Sequence, residues 1–302
     1  MALSKRKPAT QEIDGERCSI YYDPTSYRAI PEFKPQTGDI IQVSYPRSGS
    51  HLIQQILQLI LNSGESAKTY LEFLNRARFL ERYAPPSEEV ASPRLLGTHA
   101  PLGRVRVSPE AKYVYVARNP WDCCVSCFHV TRLASEFENG TFEDFLDAFL
   151  DGQWGFGDYF DHVLSGYERR GEPNVFFVTY EDLQRNKAGV LKRLAYFLGH
   201  NYGRMLENDH VLFQKIMEKS TVEYMKRFMN VNNSDLLELV RGDLDLATEQ
   251  REKGEQRIIN IIRNGRTGEG KKYFSKDNIK KMKTTIDEKT KGSHIMSLWT
   301  SD

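Results

Sequence analysis

The sequence predicts an α/β fold: a single domain with a central parallel sheet flanked by helices on both faces, with a P-loop-like loop after the first strand. Three observations predict it. Short β-rich apolar runs alternate with longer segments of helical period, the pattern of successive βα units. One run, Lys112–Arg118 (KYVYVAR), is apolar throughout between its charged ends, as a strand covered on both faces must be. No Gly/Ser-rich or Pro-rich linker divides the 302 residues, so the chain reads as one unit.

The elements follow in order. Asp39–Tyr45 reads as a strand and His51–Asn62 as a helix apolar over much of its surface. Arg94–His99 and Lys112–Arg118 are further strands. Pro120 suits the first turn of the helix that runs on to Ala134. Thr141–Leu150 and Gly157–Arg170 are amphipathic helices, Asn174–Tyr180 a strand, and Asn186–Gly199 a helix. From Glu207 onward the chain is more helical and more charged, and is expected to wrap the sheet. Residues 1–17 are polar and are expected to form a mobile arm.

Composition narrows the function. With 42 basic against 41 acidic residues, a polyanion-wrapping surface is excluded, and any anion site must be a local cluster. No stretch approaches the roughly 18 apolar residues of a membrane span, and the first residues lack the apolar core of a signal peptide. The expected location is therefore cytoplasmic, with neither membrane nor nucleic acid as partner. Cys124 and Cys127 form a lone C-x-x-C without a second pair at zinc spacing, so reduced helix cysteines and no metal are expected.

Four segments carry chemistry. Ser44–His51 (SYPRSGSH) joins a strand to a helix through a tight turn of Gly and small hydroxyl residues. Free N–H groups of the first helical turn would meet an anion there, with Arg47 adding charge. The turn lacks the G-x-x-x-x-G-K-[ST] pattern of nucleotide triphosphatases, and turns of such composition are often only turns. Arg118 ends a strand, where ligands of open α/β sheets bind, and Ser126 lies two turns into the next helix; a structural ion pair is the plain alternative for Arg118. His99, in Thr98-His99-Ala100-Pro101, follows another strand at the same predicted edge, whereas a lone histidine is usually structural. Arg263–Lys272 (RNGRTGEGKK) is a basic, glycine-rich loop able to wrap an anion or simply to face solvent.

Taken in order, these segments resemble the cytosolic sulfotransferase family, which uses 3′-phosphoadenosine-5′-phosphosulfate (PAPS). The phosphate loop, the TH-x-P histidine, the R-N-x8-S pair and the R-x-G-x2-G-x2-K loop recur in that order, from about Asp39 to Phe274. Gly157–Val163 (GDYFDHV) and Tyr180-Glu181-Asp182 match two further family motifs. The resemblance is to invertebrate members more than to mammalian phenol or steroid enzymes.

The resemblance implies a PAPS-dependent sulfotransferase that leaves adenosine 3′,5′-bisphosphate and needs no metal. Arg47, Ser48, Gly49, Ser50 and His51 would hold the 5′-phosphosulfate. Arg118, Ser126, Arg263, Asn264 and Gly265 would hold the 3′-phosphate, and Tyr180, Ser220 and Thr221 would approach the adenine. His99 would accept the proton of a small hydroxylated acceptor (a phenol, biogenic amine or alcohol) and Arg47 would stabilise the leaving oxygen. Phe128, Val130 and Phe156 would line the acceptor pocket.

Departures from the family pattern are specific. Arg47 stands at the usual lysine, keeping the charge but donating protons poorly. Gly97 stands at another lysine, and Leu52 and Val222 replace adenine-stacking aromatics, where stacking is worth about 1–3 kcal/mol per base. The dimer segment of the family falls at Lys271, Ser275, Lys276 and Lys280, placing lysine at its glutamate and valine positions, so a monomer is expected. Two other functions stay open: a nucleoside or small-molecule kinase with a modified phosphate loop, which would prefer ATP to the bisphosphate, and a non-catalytic ligand-binding member of the family.

Overall fold

The computed structural model describes residues 6–83, 92–231 and 259–300. Its centre is a five-stranded, wholly parallel sheet of order β4-β5-β3-β6-β7. The strands are β3 (Ile40–Val43), β4 (Arg78–Phe79), β5 (Leu95–Thr98), β6 (Lys112–Ala117) and β7 (Val175–Thr179). Every strand predicted from the sequence is present, within two residues at its ends; the two-residue edge strand β4 has too short a pattern to read.

Alternation along the strands sorts the core into two layers. Ile41, Val43, Tyr113 and Tyr115 point to one face. There α4 (Pro120–Thr131), α5 (Phe142–Leu150) and α6 (Tyr159–Glu168) pack, with α12 (Lys276–Lys289) outside them. Ile40, Val114 and Val116 point to the other, covered by α2 (Ser50–Leu61) and α8 (Lys187–Leu198). Beyond α8 the chain continues helical through α9 (His200–Asn208), α10 (His210–Lys219) and α11 (Val222–Lys226). The expectation for the charged stretch that follows falls mostly on residues 232–258, outside the described residues. At the amino ends of the strands a buried bidentate pair ties β5 to β3: Arg94 Nε and NH2 each lie 2.6 Å from Asp39.

The mobile arm expected over residues 1–17 is corrected for the residues described. Strands β1 (Thr10–Ile13) and β2 (Glu16–Ser19) form an antiparallel hairpin with Ile13 and Cys18 buried. Two apolar residues in an otherwise polar run suffice to dock it. A side chain at Gly155 would strike its backbone, with Ser19 N only 2.8 Å from the position of a Cβ.

Candidate active site

Parallel pairing puts the carboxyl ends of β3, β5, β6 and β7 on one edge, and each delivers a candidate residue there: the 44–49 loop, His99, Arg118 and Tyr180. A cleft of about 650 Å³ opens at this edge. It gathers Arg47, Gly49, Ser50, His51, Arg118, Ser126, Tyr180, Ser220, Arg263, Asn264 and Gly265. Ser48 and Thr221 do not line it. Ser48 is buried with its Oγ 3.7 Å from Cys123 Sγ, and the Thr221 hydroxyl caps α11 by accepting from Tyr224 N at 3.2 Å. Part of the cleft wall is aliphatic, built from Leu52, Val222, Met225 and Ile262.

The loop turns through two left-handed residues, Arg47 (φ 66°) and Gly49 (φ 110°). Gly49 is required twice over. Its φ favours glycine, and a Cβ would sit 2.6 Å from Tyr180 Cδ2. Gly49 caps α2 without a side chain, so the first N–H groups of a twelve-residue helix remain available to an anion. The Arg47 guanidinium reaches across to α4: Nε lies 3.3 Å from Ser126 Oγ and NH2 donates to Ile261 O at 3.1 Å. Burial pushes its pKa down.

Arg118 is buried yet only partly paired. NH1 donates to Arg47 O at 3.0 Å and NH2 to Arg266 O at 3.2 Å, its carbon lies 4.6 Å from the centre of the Tyr180 ring, and Nε has no partner. A buried guanidinium N–H without an acceptor is costly, and an anion in the cleft would supply one. The basic loop is drawn onto this edge by Asp122, which accepts from Gly268 N (2.7 Å) and Gly270 N (2.6 Å), while Tyr180 OH donates to Gly265 O at 3.0 Å. The donor set, guanidinium groups and free helix N–H groups, suits phosphate and sulfate oxygens.

His99 is held at three points. Its Nδ1 lies 2.7 Å from Ser44 O; a carbonyl can only accept, so Nδ1 carries the proton and the Nε2 lone pair is left for a substrate. Its backbone N–H donates to Glu81 Oε1 at 2.5 Å, which also accepts from Thr98 Oγ1 (2.6 Å) and Ala100 N (2.7 Å). Its backbone carbonyl accepts from His162 Nε2 at 3.0 Å, and Tyr115 OH lies 2.6 Å from His162 Nδ1. Burial, with a smaller contribution from Arg47 that the Ser44 bond opposes, lowers the His99 pKa to about 4. The ring is therefore neutral at pH 7.

Aromatic rings surround it. Phe79 lies 4.8 Å from His99 and Phe156 6.0 Å, with Tyr22 and Trp154 against Phe156 at 5.4 and 4.6 Å. Val130 is half-buried in the same layer. Phe128 is turned elsewhere, its ring on Phe142 and Phe145 at 5.3 and 5.9 Å. Phe79, Tyr22, Glu81, His162 and Asp122 are contributors that sequence reasoning did not assign. His162 had a signal, lying inside GDYFDHV; Tyr22 did not, because it falls between the arm read over residues 1–17 and the first strand read from Asp39, where no motif was assigned. Gly97 has a steric explanation: a Cβ there would lie 2.8 Å from Gln54 Nε2 and 2.9 Å from Phe79 Cε2, leaving no path for a lysine. Cys123, Cys124 and Cys127 are free and buried beneath the phosphate loop.

A parallel sheet whose carboxyl edge presents a cationic cleft beside a neutral histidine is suited to group transfer from an anionic donor. The family follows from comparison: residues 37–294 match the sulfotransferase-domain family model, and the chain belongs to the sulfotransferase family. Sulfotransferase 1C2 of Oryctolagus cuniculus is 28% identical over 258 residues, covering 82% of this chain and 81% of that protein. Sulfotransferase 1B1 of Mus musculus is 30% identical over 230 residues, covering 72% and 75%. Among solved structures, mouse sulfotransferase SULT7A1 complexed with PAP superposes with a TM-score of 0.70 at 22% identity, covering 96% of each chain. Retinol dehydratase in a complex with retinol and PAP gives 0.69 at 25% identity, covering 88% of this chain and 85% of that one.

Proposed function

We propose that this enzyme transfers the sulfuryl group of PAPS to a hydroxyl of a small aromatic or apolar acceptor, with His99 as general base. Sulfuryl transfer from PAPS to hydroxyl acceptors is the reaction of its family; the base, the site residues and the acceptor class are our reading. Arg118, Ser126 and the Arg263–Gly265 segment hold the 3′-phosphate. The Arg47–His51 loop holds the phosphosulfate through the N–H groups that open α2, and Tyr180 and Ser220 border the adenine. Arg47 offsets charge on the leaving oxygen. His99 takes the acceptor's proton at Nε2 as that oxygen attacks sulfur. Phe79, Phe156 and Tyr22 wall the acceptor side, which suits a flat ring such as a phenol or a phenolic biogenic amine. No helix among the described residues is long and apolar enough to cross a membrane, consistent with an enzyme of the cytoplasm.

The observation that carries this reading is the His99 Nδ1–Ser44 bond, which fixes the tautomer a base needs. A screen of phenols, catecholamines, steroids and primary alcohols with labelled PAPS identifies the acceptor. With the best of them, His99→Ala should lower turnover by about 10²–10⁴-fold and leave the affinity for adenosine 3′,5′-bisphosphate within threefold. Activity within threefold of the parent enzyme overturns the assignment.

A further inference from the structure

We propose that His51 is a second catalytic histidine, which takes up a proton when the anionic donor binds and passes it to the departing phosphate. This rests on the donor-site reading above. The need for such a group comes from Arg47, which can offset charge but cannot give up a proton at working pH; its guanidinium also bonds Ser126 Oγ and Ile261 O. His51 opens α2 within the same cleft, next to Ser50.

Its ring is pre-oriented. It stacks on Tyr70 and Phe73, with centroids 5.7 and 5.9 Å away and planes within 19° and 12°. Nε2 is 2.8 Å from Tyr70 OH, whereas Nδ1 has only a 3.5 Å approach to Ser50 Oγ. Nδ1 is therefore the nitrogen free for a ligand. Tyr70 permits both protonation states, since its hydroxyl can donate to a neutral Nε2 or accept from a protonated one.

The charged and titratable neighbours facing His51 are Arg47 from the loop, His99 from the end of β5 and Tyr70 from α3 (Tyr70–Asn75). Burial first, then Arg47 and His99, hold the ring neutral in the empty cleft. A bound phosphosulfate, with one negative charge on its phosphoryl and one on its sulfuryl group, reverses that balance, because opposite charge within about 4–6 Å favours the charged form. In the transfer step the bond from sulfur to the bridging oxygen breaks as the bond to the acceptor oxygen forms. The acceptor's proton goes to His99 Nε2 and the His51 proton to a phosphate oxygen. Release of products and re-equilibration with water restore both rings, for a net yield of one proton per sulfate ester.

The test reads the imidazole directly. Protein labelled with ¹⁵N-histidine, with the His51 signals assigned through its own backbone amide, is titrated with adenosine 3′,5′-bisphosphate at pH 7. Both ring nitrogens should move to imidazolium shifts on saturation, and His51→Gln should lower kcat by tenfold or more and, because the proton and the ligand bind together, weaken the bisphosphate by about tenfold. Saturable binding with a neutral His51 ring, or an unchanged kcat in His51→Gln, overturns the proton-donor role while sparing the donor site. Failure of the bisphosphate to bind overturns both.

Discussion

Arg118 shows how a residue readable as either structural or ligand-binding is resolved by counting its donors. Two of its nitrogens tie the phosphate loop to the basic loop, and Nε alone is unpaired in a buried position. A wholly structural arginine would be expected to have all its N–H groups satisfied. Arg118→Ala should therefore weaken adenosine 3′,5′-bisphosphate by about 1.5–3 kcal/mol, the range for a charge-assisted hydrogen bond. Adenosine 5′-phosphate, which lacks the 3′-phosphate, should lose far less. Calorimetric titration of both ligands decides it, and equal losses would make Arg118 a strut between loops. His99 makes the complementary point about legibility. Its place after a strand was readable from sequence, but the bonds that hold it come from Ser44, Glu81 and His162, 55, 18 and 63 positions away.

At the scale of elements, strands and helices of the sheet were legible because apolar periodicity and burial are the same physical demand. What escaped were pieces too short to show a period. β4 has two residues, and the β1–β2 hairpin buries only two apolar side chains, Ile13 and Cys18. The segment predicted to replace the family dimer contact lies on a short 3-10 turn, Gly270–Tyr273, and the first turn of α12, which Ser275 caps by accepting from Asn278 N at 3.2 Å. Lys271, Lys276 and Lys280 are all exposed there. A two-fold axis through this segment would bring lysine onto lysine, and like charges facing one another at an interface cost several kcal/mol. The protein is expected to sediment as a monomer at micromolar concentration. A stable dimer abolished by charge reversal at Lys276 and Lys280 would refute this.

The whole molecule keeps three buried histidines at an energetic cost that acid should reveal. Burial is the first cause of lowered pKa at His51 and His162, to about 3, and at His99, to about 4. An unfolded chain returns all three to about 6.5. Below that value the unfolded state takes up protons that the folded state refuses. Stability is thus fully present above about pH 6.5 and falls progressively toward pH 4, where the folded rings begin to protonate. Each histidine can contribute a slope of up to about 1.4 kcal/mol per pH unit. Glu81 and Glu181 oppose this, because burial raises their pKa and the folded state then binds protons first. Urea midpoints should consequently be lower at pH 5.5 than at pH 7.5, and the drop should shrink in His51→Gln, which removes one of the three sites. A midpoint that holds or rises on acidification would mean that these rings keep enough water, or enough compensating charge, to titrate normally in the folded protein.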